Sequence, residues 1–496
     1  MSEPVLLAID QGTSSSRAIA FTTRGAVLAL EQQPFEQIYP ASGWVEHDPE
    51  VIWATTLSTV REVLRRLREK HLPVAAIGVT NQRETTLLWD RRSGVPFHNA
   101  IVWQDRRTAD LCRRLQEGGH EEQVAQRTGL RLDPYFSATK LSWMLERVPE
   151  ARAAARAGNL AFGTVDSFLI WRLTAGRLHL TDATNASRTA LFDIRTGRWD
   201  EELCELFGVP LSCLPEVRDS AGDFGTTDRS LFGESLPIRG VAGDQQAALI
   251  GQAGFARGDV KSTYGTGAFV VLNTGERLLR SQNRLLSTIA YQLRGQRTYA
   301  LEGSILSAGS TIQWLRDGLG LITRAPEIEA LAQSVSDTGG VYLLPAFTGL
   351  GAPYWDPGAR GAIVGLTRAS SRAEIARAGL DSVVYQTRDL VDAMAADGVT
   401  PASLKVDGGM AGNAFFLQRL ADILALPILR PRMAESTAFG AACLAGLGLG
   451  VYGSVAEIAS LWEADVRCEP RLDAPTRERE MSGWREALRR VRTTGL

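Results

Sequence analysis

Leu6-Leu7-Ala8-Ile9-Asp10-Gln11-Gly12-Thr13-Ser14-Ser15-Ser16-Arg17-Ala18-Ile19-Ala20-Phe21 decides how this chain is read, because its pattern returns in the second half. There the sequence runs Val260-Lys261-Ser262-Thr263-Tyr264-Gly265-Thr266-Gly267-Ala268-Phe269-Val270-Val271. Each copy reads as an apolar strand, a tight Gly/hydroxyl turn and a second apolar strand. Two such hairpins facing one another could hold a polyphosphate between two lobes. A phosphoryl-transfer enzyme is the reading this pairing suggests.

The residues around the turns narrow the means. A P-loop needs a Gly-Lys-Ser/Thr step, because its lysine reaches the β- and γ-phosphates. Only Lys70, Lys140, Lys261 and Lys405 are lysines, and none follows a glycine. Protein-kinase signatures are missing as well. ATP is then to be held by backbone N–H groups and hydroxyls in tight turns, with a carboxylate-held Mg²⁺. Asp10 supplies such a carboxylate at a strand end, Thr13, Ser14 and Ser15 offer hydroxyls and amides, and Arg17 offers a guanidinium fork. A third Gly-rich turn, Asp407-Gly408-Gly409-Met410, follows the strand-like Leu404-Val406 and could pass close to an adenine ring. Asp244 stands where the strand-like Gly240-Ala242 gives way to a helical pattern. It suits either a helix N-cap or the base that deprotonates an attacking hydroxyl.

Bulk properties agree with a soluble two-domain enzyme. At 496 residues the chain is too long for one ordinary core. A net charge of -2 gives no basic field for nucleic acid or an anionic membrane. The five cysteines are dispersed without CxxC spacing, which points to a reducing compartment rather than a disulfide or zinc framework. The apolar run near the N-terminus stops at Asp10 and reads as a core strand rather than a signal peptide, and the uncharged, Gly-rich stretch 437–453 reads as a buried helix and turn. The expectation is a cytoplasmic protein with no membrane insertion.

Strand-like runs at Val5-Ile9, Val74-Val79, Thr85-Trp89, Val341-Pro345, Leu404-Val406 and Pro427-Leu429 alternate with helical patterns such as 51–67 and 372–394. That alternation predicts α/β architecture. Asp48-Pro49 before Val51 predicts a capped helix start. Met481, Trp484, Leu488 and Val491 share a helical face, which predicts a docking helix at the C-terminal end. A lobe boundary is expected near Gly251, dividing the chain into 1–250 and 251–496. Gly448-Leu449-Gly450-Val451-Tyr452-Gly453 fits the dinucleotide fingerprint GxGxxG but follows a helix-like segment, so it reads as a Gly-rich helix exit.

With these residues in view the chain resembles the FGGY sugar-kinase family of the actin-like ATPase superfamily, and within it the branch that acts on glycerol. The resemblance rests on DQGTSSSR at Asp10-Arg17, GWVEHDP at Gly43-Pro49, TNQRETT at Thr80-Thr86 and NAIVWQDRRT at Asn99-Thr108. It continues through DPYFSATKLSW at Asp133-Trp143, TDATNASRT at Thr181-Thr189, AGDQQAAL at Ala242-Leu249, STYGTG at Ser262-Gly267, the long segment Pro345-Ile363 and VDGG at Val406-Gly409. It implies two actin-like ATPase (ribonuclease H-like) domains with the active site in the cleft between them. It also implies Mg²⁺- and ATP-dependent phosphorylation of glycerol to sn-glycerol 3-phosphate. Carried over by position, Arg83, Glu84, Tyr135, Asp244 and Gln245 would contact the glycerol hydroxyls, with Trp103 and Phe269 against its carbons. Asp244 would be the base, Asp10 and Arg17 would act with it in catalysis, and Asp10 and Asp244 would serve the metal. Thr13, Ser14, Ser15, Arg17 and Thr266 would lie near phosphates, and Gly309, Gln313, Gly409, Met410 and Asn413 around the adenosine.

The resemblance further implies a homodimer or homotetramer. Three departures stand out. Ala414 replaces an asparagine that many relatives carry. Gly233-Glu234-Ser235-Leu236 stands where some relatives have a bisphosphate-binding Gly-Gly-Thr-Arg turn. The last histidine, His179, lies too early for the histidine phosphorylation known in others. A kinase of another polyol or ketose is the rival reading on the same fold, and an actin-like ATPase without a small acceptor is the rival outside it.

Overall fold

The computed structural model describes residues 3–493. In the first half the strands that build the main sheet are β1 (Val5–Gln11), β2 (Ser15–Phe21), β3 (Val27–Pro34), β4 (Val74–Asn81) and β5 (Ile238–Gly243). In the second half they are β6 (Val260–Tyr264), β7 (Ala268–Gly275), β8 (Leu286–Leu293), β9 (Gln296–Ile305), β10 (Leu404–Asp407), β11 (Ile428–Pro431) and β12 (Ala464–Cys468). The first sheet has the order β5-β4-β1-β2-β3, and the second β8-β9-β7-β6-β10-β11-β12.

The two sheets share one plan. In each, an antiparallel hairpin (β1/β2, then β6/β7) is flanked by a third antiparallel strand (β3, then β9). On the other side of the hairpin lie two parallel strands, β4 and β5 in the first sheet and β10 and β11 in the second. The Gly/hydroxyl turns recognised in the sequence therefore occupy the same place in both sheets, the tip of the first hairpin. Strands β1 and β2 are almost wholly buried, as expected of strands covered on both faces.

Helices follow their local signals. Helix α1 (Pro49–Glu69) starts at Asp48, whose carboxylate accepts from the Glu50 N–H at 2.8 Å, with Pro49 in the first turn. Helix α2 (Asp244–Gly251) follows β5 directly, and α3 (Gly309–Asp317) follows β9 after a short turn. Helix α4 (Arg372–Ala396) opens with a reciprocal capping box between Ser371 and Glu374. Helix α5 (Ala414–Leu424) is capped by Asn413, and α6 (Ser436–Leu449) ends at Gly450 in the left-handed region. That end is the Gly-rich helix exit read from 448–453. Helix α7 (Ala474–Val491) buries Met481, Trp484 and Leu488, with Val491 packed at the margin, so the docking face is where the pattern put it.

Helix α6 comes from the second half of the chain but lies on the first sheet. It shares one apolar cluster with β1, β2 and β4, with α2, and with Val271, Ala290 and Ala300 of the second sheet. Contact with α2 is nearly backbone to backbone: a Cβ on Gly440 would sit 1.8 Å from the Ala247 carbonyl oxygen, and one on Gly251 1.9 Å from that of Ser436. This close approach accounts for the glycine content of a helix that is apolar all round. No helix among the described residues is long and apolar enough to cross a membrane.

One strand expectation needs correction. Thr85-Trp89 reads as a strand throughout, but the strand begins at Leu87 and ends at Asp90. The preceding residues leave β4 and turn sharply, with Glu84 at φ +60°. The β-branched run 85–86 favours a strand locally, but the buried partners of Arg83 and Glu84 fix the turn instead.

Candidate active site

The cleft between the two sheets gathers the charged candidates on one floor. Arg83 and Glu84, in the turn after β4, are 3% and 1% exposed, so the solvated surface pair that adjacent charges usually form is not what occurs. The Arg83 guanidinium reaches four groups. Its Nη1 donates to Glu302 at 2.5 Å and to the Gln246 side chain at 3.2 Å, its Nη2 donates to the Tyr135 hydroxyl at 3.3 Å, and its Nε lies 3.3 Å from Asp244. Its aliphatic stem passes over Gly243, where a Cβ would meet the Arg83 Cγ at 2.7 Å. Glu84 accepts from the Arg188 Nε at 2.6 Å, and its strained backbone is held by the Ser137 hydroxyl on its carbonyl at 3.0 Å.

Asp244 is the first residue of α2, with Gly243 as the flanking cap position. The N-cap alternative for Asp244 is thereby replaced: its carboxylate accepts from the adjacent Gln245 N–H at 2.7 Å, pairs with the Arg83 Nε at 3.3 Å and opens onto the cleft, its side chain 30% exposed. Burial raises its carboxyl, Arg83 opposes this and Glu84 adds to it, leaving the group at about 6. A carboxylate poised there is a competent proton acceptor near neutral pH.

Three aromatic rings wall the floor. Trp103 meets Tyr135 edge-on at 5.8 Å between centroids and Phe269 at 5.9 Å, and the Arg83 guanidinium carbon lies 5.7 Å from the Phe269 centroid. Burial pushes the Tyr135 hydroxyl well above its ordinary pKa, so it stays a neutral hydrogen-bonding group. Charged donors and acceptors beneath an apolar wall make a pocket for a small molecule with hydroxyls on one side and C–H groups on the other.

Above the floor lie the two turns. In the first, Gly12 donates to the Ser15 carbonyl at 2.9 Å, Thr13 accepts from the Trp103 indole at 3.0 Å, and Ser14 is exposed at the tip with Ser15 half-buried behind it. Arg17 faces Asp10 across the hairpin, forms an ion pair with it, and reaches Glu435 at 2.6 Å. In the second turn Gly265 and Thr266 are exposed, and the turn is fastened to the start of α3. Ala308 and Ser310 donate to the Thr266 carbonyl at 2.9 and 3.0 Å, and Gly309 to that of Gly265 at 2.9 Å. A Cβ on Gly309 would lie 2.6 Å from the Gly265 oxygen. Gln313, one turn along α3, is exposed.

The third turn follows β10. Gly408 adopts φ +88° and a Cβ there would meet the Tyr264 carbonyl oxygen at 2.5 Å, so β10 and the second hairpin are locked together. Gly409 opens a 3-10 turn and is exposed, while Met410 packs inward. Asn413, expected near the adenosine, spends its side-chain oxygen on the Phe416 N–H at 2.8 Å as the cap of α5, a bond that does not use its NH2 group. Ala414 beside it is exposed.

Three residues of this site carried no assigned role in the sequence. Glu302 on β9, Arg188 in the TDATNASRT segment and Lys261 on β6 are all fully buried. Glu302 accepts from Arg83 and from the Arg188 Nη2 at 2.8 Å, and Lys261 Nζ donates to the Gln245 side-chain oxygen at 2.5 Å and to Thr263 at 3.0 Å. The signal available was weak: a charge inside an apolar strand pattern, which by itself says only that a partner must exist.

Two sheets of one topology, each presenting a Gly/hydroxyl turn to a shared cleft with a buried ionic floor, define a phosphotransferase of the actin-like ATPase class. The chain belongs to the FGGY family of carbohydrate kinases, whose N-terminal domain matches residues 5–251 and whose C-terminal domain matches residues 260–449. It is 59% identical to a glycerol kinase of Methylobacterium nodulans over 98% of this chain and 97% of that one, and 59% identical to one of Rhodospirillum centenum over 99% and 98%. Among solved structures it is similar to Plasmodium falciparum glycerol kinase with ADP, at 36% identity and a TM-score of 0.93, covering 100% of this chain and 99% of that one.

Proposed function

We propose that this protein transfers the γ-phosphoryl group of ATP to a terminal hydroxyl of glycerol, giving sn-glycerol 3-phosphate and ADP. The observation that carries the reading is the floor itself: Arg83, Glu84, Tyr135, Asp244 and Gln245 converge beneath the rings of Trp103 and Phe269. A triol must exchange its water partners for several strong ones, and this set supplies them without enclosing a longer sugar chain in apolar surface. The likeness to glycerol kinases along almost the whole chain supports the same substrate.

In this reading Asp244 accepts the proton of the attacking hydroxyl as its oxygen bonds to the γ-phosphorus and the bond to the β-phosphate oxygen breaks. Arg83 and Gln245 donate to glycerol oxygens, Glu84 accepts from a hydroxyl, and Trp103 and Phe269 cover the carbons. Thr13, Ser14, Ser15, Arg17 and Thr266 would meet the phosphates. Gly309, Gln313, Gly409, Met410 and Asn413 would line the adenosine, where small residues and exposed backbone leave room for a flat ring. Mg²⁺, carried in with the nucleotide, would neutralise phosphate charge beside Asp10 and Asp244. No group of three His, Cys, Asp or Glu able to hold a metal occurs among the described residues. A cation that keeps its waters and phosphate ligands suits such a sparse donor set.

ADP release by the purified protein across glycerol, other polyols and ketoses tests the reading. Glycerol is expected to give the highest kcat/KM. A clear preference for a ketose would overturn it.

A further inference from the structure

Each polar side chain assigned above to the acceptor belongs to the first half of the chain, yet two of those assigned to it as hydrogen-bond donors are held by the second. Glu302, on β9, takes the Nη1 of Arg83 at 2.5 Å and its Nη2 at 3.1 Å, and the Nη2 of Arg188 at 2.8 Å. Arg188 in turn grips Glu84 at 2.6 Å and is stacked near the rings of Tyr135 and Phe136. Lys261, on β6, fixes the side-chain oxygen of Gln245, so the amide NH2 is the end left for a ligand.

We propose that Glu302 and Lys261 are positioning residues through which the second sheet shapes the acceptor pocket of the first, an inference that rests on the acceptor reading above. Glu302 anchors one edge of Arg83 so that its Nε edge stays turned toward Asp244. It sets Glu84 at one remove, through Arg188. Lys261 prevents the Gln245 amide from flipping its acceptor end toward the hydroxyls. Both charges are completely buried, and buried ions are costly unless well paired. Burial would raise the Glu302 carboxyl, but Arg188 and Arg83 outweigh it and hold the group at about 2, so it is a fixed anion. Burial lowers Lys261 to about 8, with Asp407 and Asp244 opposing. A fixed anion on β9 and a fixed donor on β6 place the acceptor groups correctly only while the two sheets stand in this relation, which makes acceptor recognition depend on how the lobes meet.

The test compares Glu302→Gln and Lys261→Met with the parent in the full-length chain. It measures KM for glycerol and for ATP, and the melting shift produced by each ligand alone. Either variant should raise the glycerol KM tenfold or more and lose most of the glycerol-induced shift, while the ATP KM and shift stay within twofold. Glycerol KM within twofold of the parent in both variants, or equal losses for both ligands, would overturn the proposal. Should Glu302→Gln fail to fold, Glu302→Asp keeps the charge while shortening its reach to Arg83 and Arg188, and Lys261→Met decides independently. If the parent itself prefers another acceptor, the glycerol reading fails, and the same measurements with the preferred acceptor still judge these two residues.

Discussion

The proposed acceptor floor and the proposed phosphate turns pose opposite electrostatic problems. The floor is crowded with full charges: Arg83, Glu84, Arg188, Asp244 and Glu302 are joined by ion pairs, and Lys261 is held by hydrogen bonds to Gln245 and Thr263. The turns carry almost none: Gly12, Thr13, Ser14 and Ser15 on one side, Gly265 and Thr266 on the other, with Arg17 the single cation and that one already shared between Asp10 and Glu435. A neutral triol brings no charge, so the protein must supply it and must neutralise it internally before the ligand arrives. A polyphosphate brings its own, and neutral N–H and O–H donors suffice. Recognition of the uncharged partner therefore demands the more elaborate ionic construction.

The sharpest way to break this contrast is at Asp244, proposed to serve both acceptor and metal. Asp244→Asn should lower glycerol-dependent turnover by ~10²- to 10⁴-fold, the range for loss of a general base, with ATP binding retained. Isothermal titration with ATP beside a turnover assay reads both, and near-parent turnover would remove Asp244 from the chemistry. Arg17→Gln deletes the one cation of the turns. A hydrogen bond to a charged group is worth about 1.5–3 kcal/mol, so the ATP KM should rise roughly ten- to a hundredfold while the glycerol KM stays put. Unchanged ATP KM would mean that Asp10 and Glu435 keep Arg17 from the phosphates.

Acid should affect the floor before the turns. In the proposed reaction Asp244 accepts a proton only when ionised, and its site raises it to about 6. Activity is then full above that value and lost as pH falls through it, by about tenfold per pH unit. A kcat/KM profile that bends only near 4 would show that the carboxyl behaves as an ordinary aspartate. The smallest effect is expected at the rim: Ala414→Asn adds an amide beside Asn413, and one hydrogen bond of ~1 kcal/mol would lower the ATP KM about fivefold. A nucleotide-panel assay checks whether ATP gains over GTP, and no change would place position 414 outside the adenine site.

How much of this was legible beforehand varies by feature. The paired hairpins, the capped start of α1, the docking face of α7 and the α/β alternation follow from local patterns of period and turn chemistry, and the structure has them where the patterns lie. Thr85 and Thr86 read as strand because they run into Leu87, while the forces that bend the preceding turn come from Ser137 and Arg188, far along the chain. Asp244 was ambiguous between cap and base because both uses place an aspartate after a strand. Only its exposure to the cleft distinguishes them.

The sequence by itself determined which chemistry could be present: two Gly/hydroxyl turns without a P-loop lysine, and a set of motifs that together resemble one kinase family. Such information is local, carried by neighbours within a few residues, where backbone preference and side-chain type act directly. Tertiary structure alone decided that Glu302 meets Arg83 and Arg188, that Lys261 fixes Gln245, and that α6 lies across the first sheet. A buried charge requires a partner, but only the folded chain brings that partner across more than two hundred residues to within 2.5 Å.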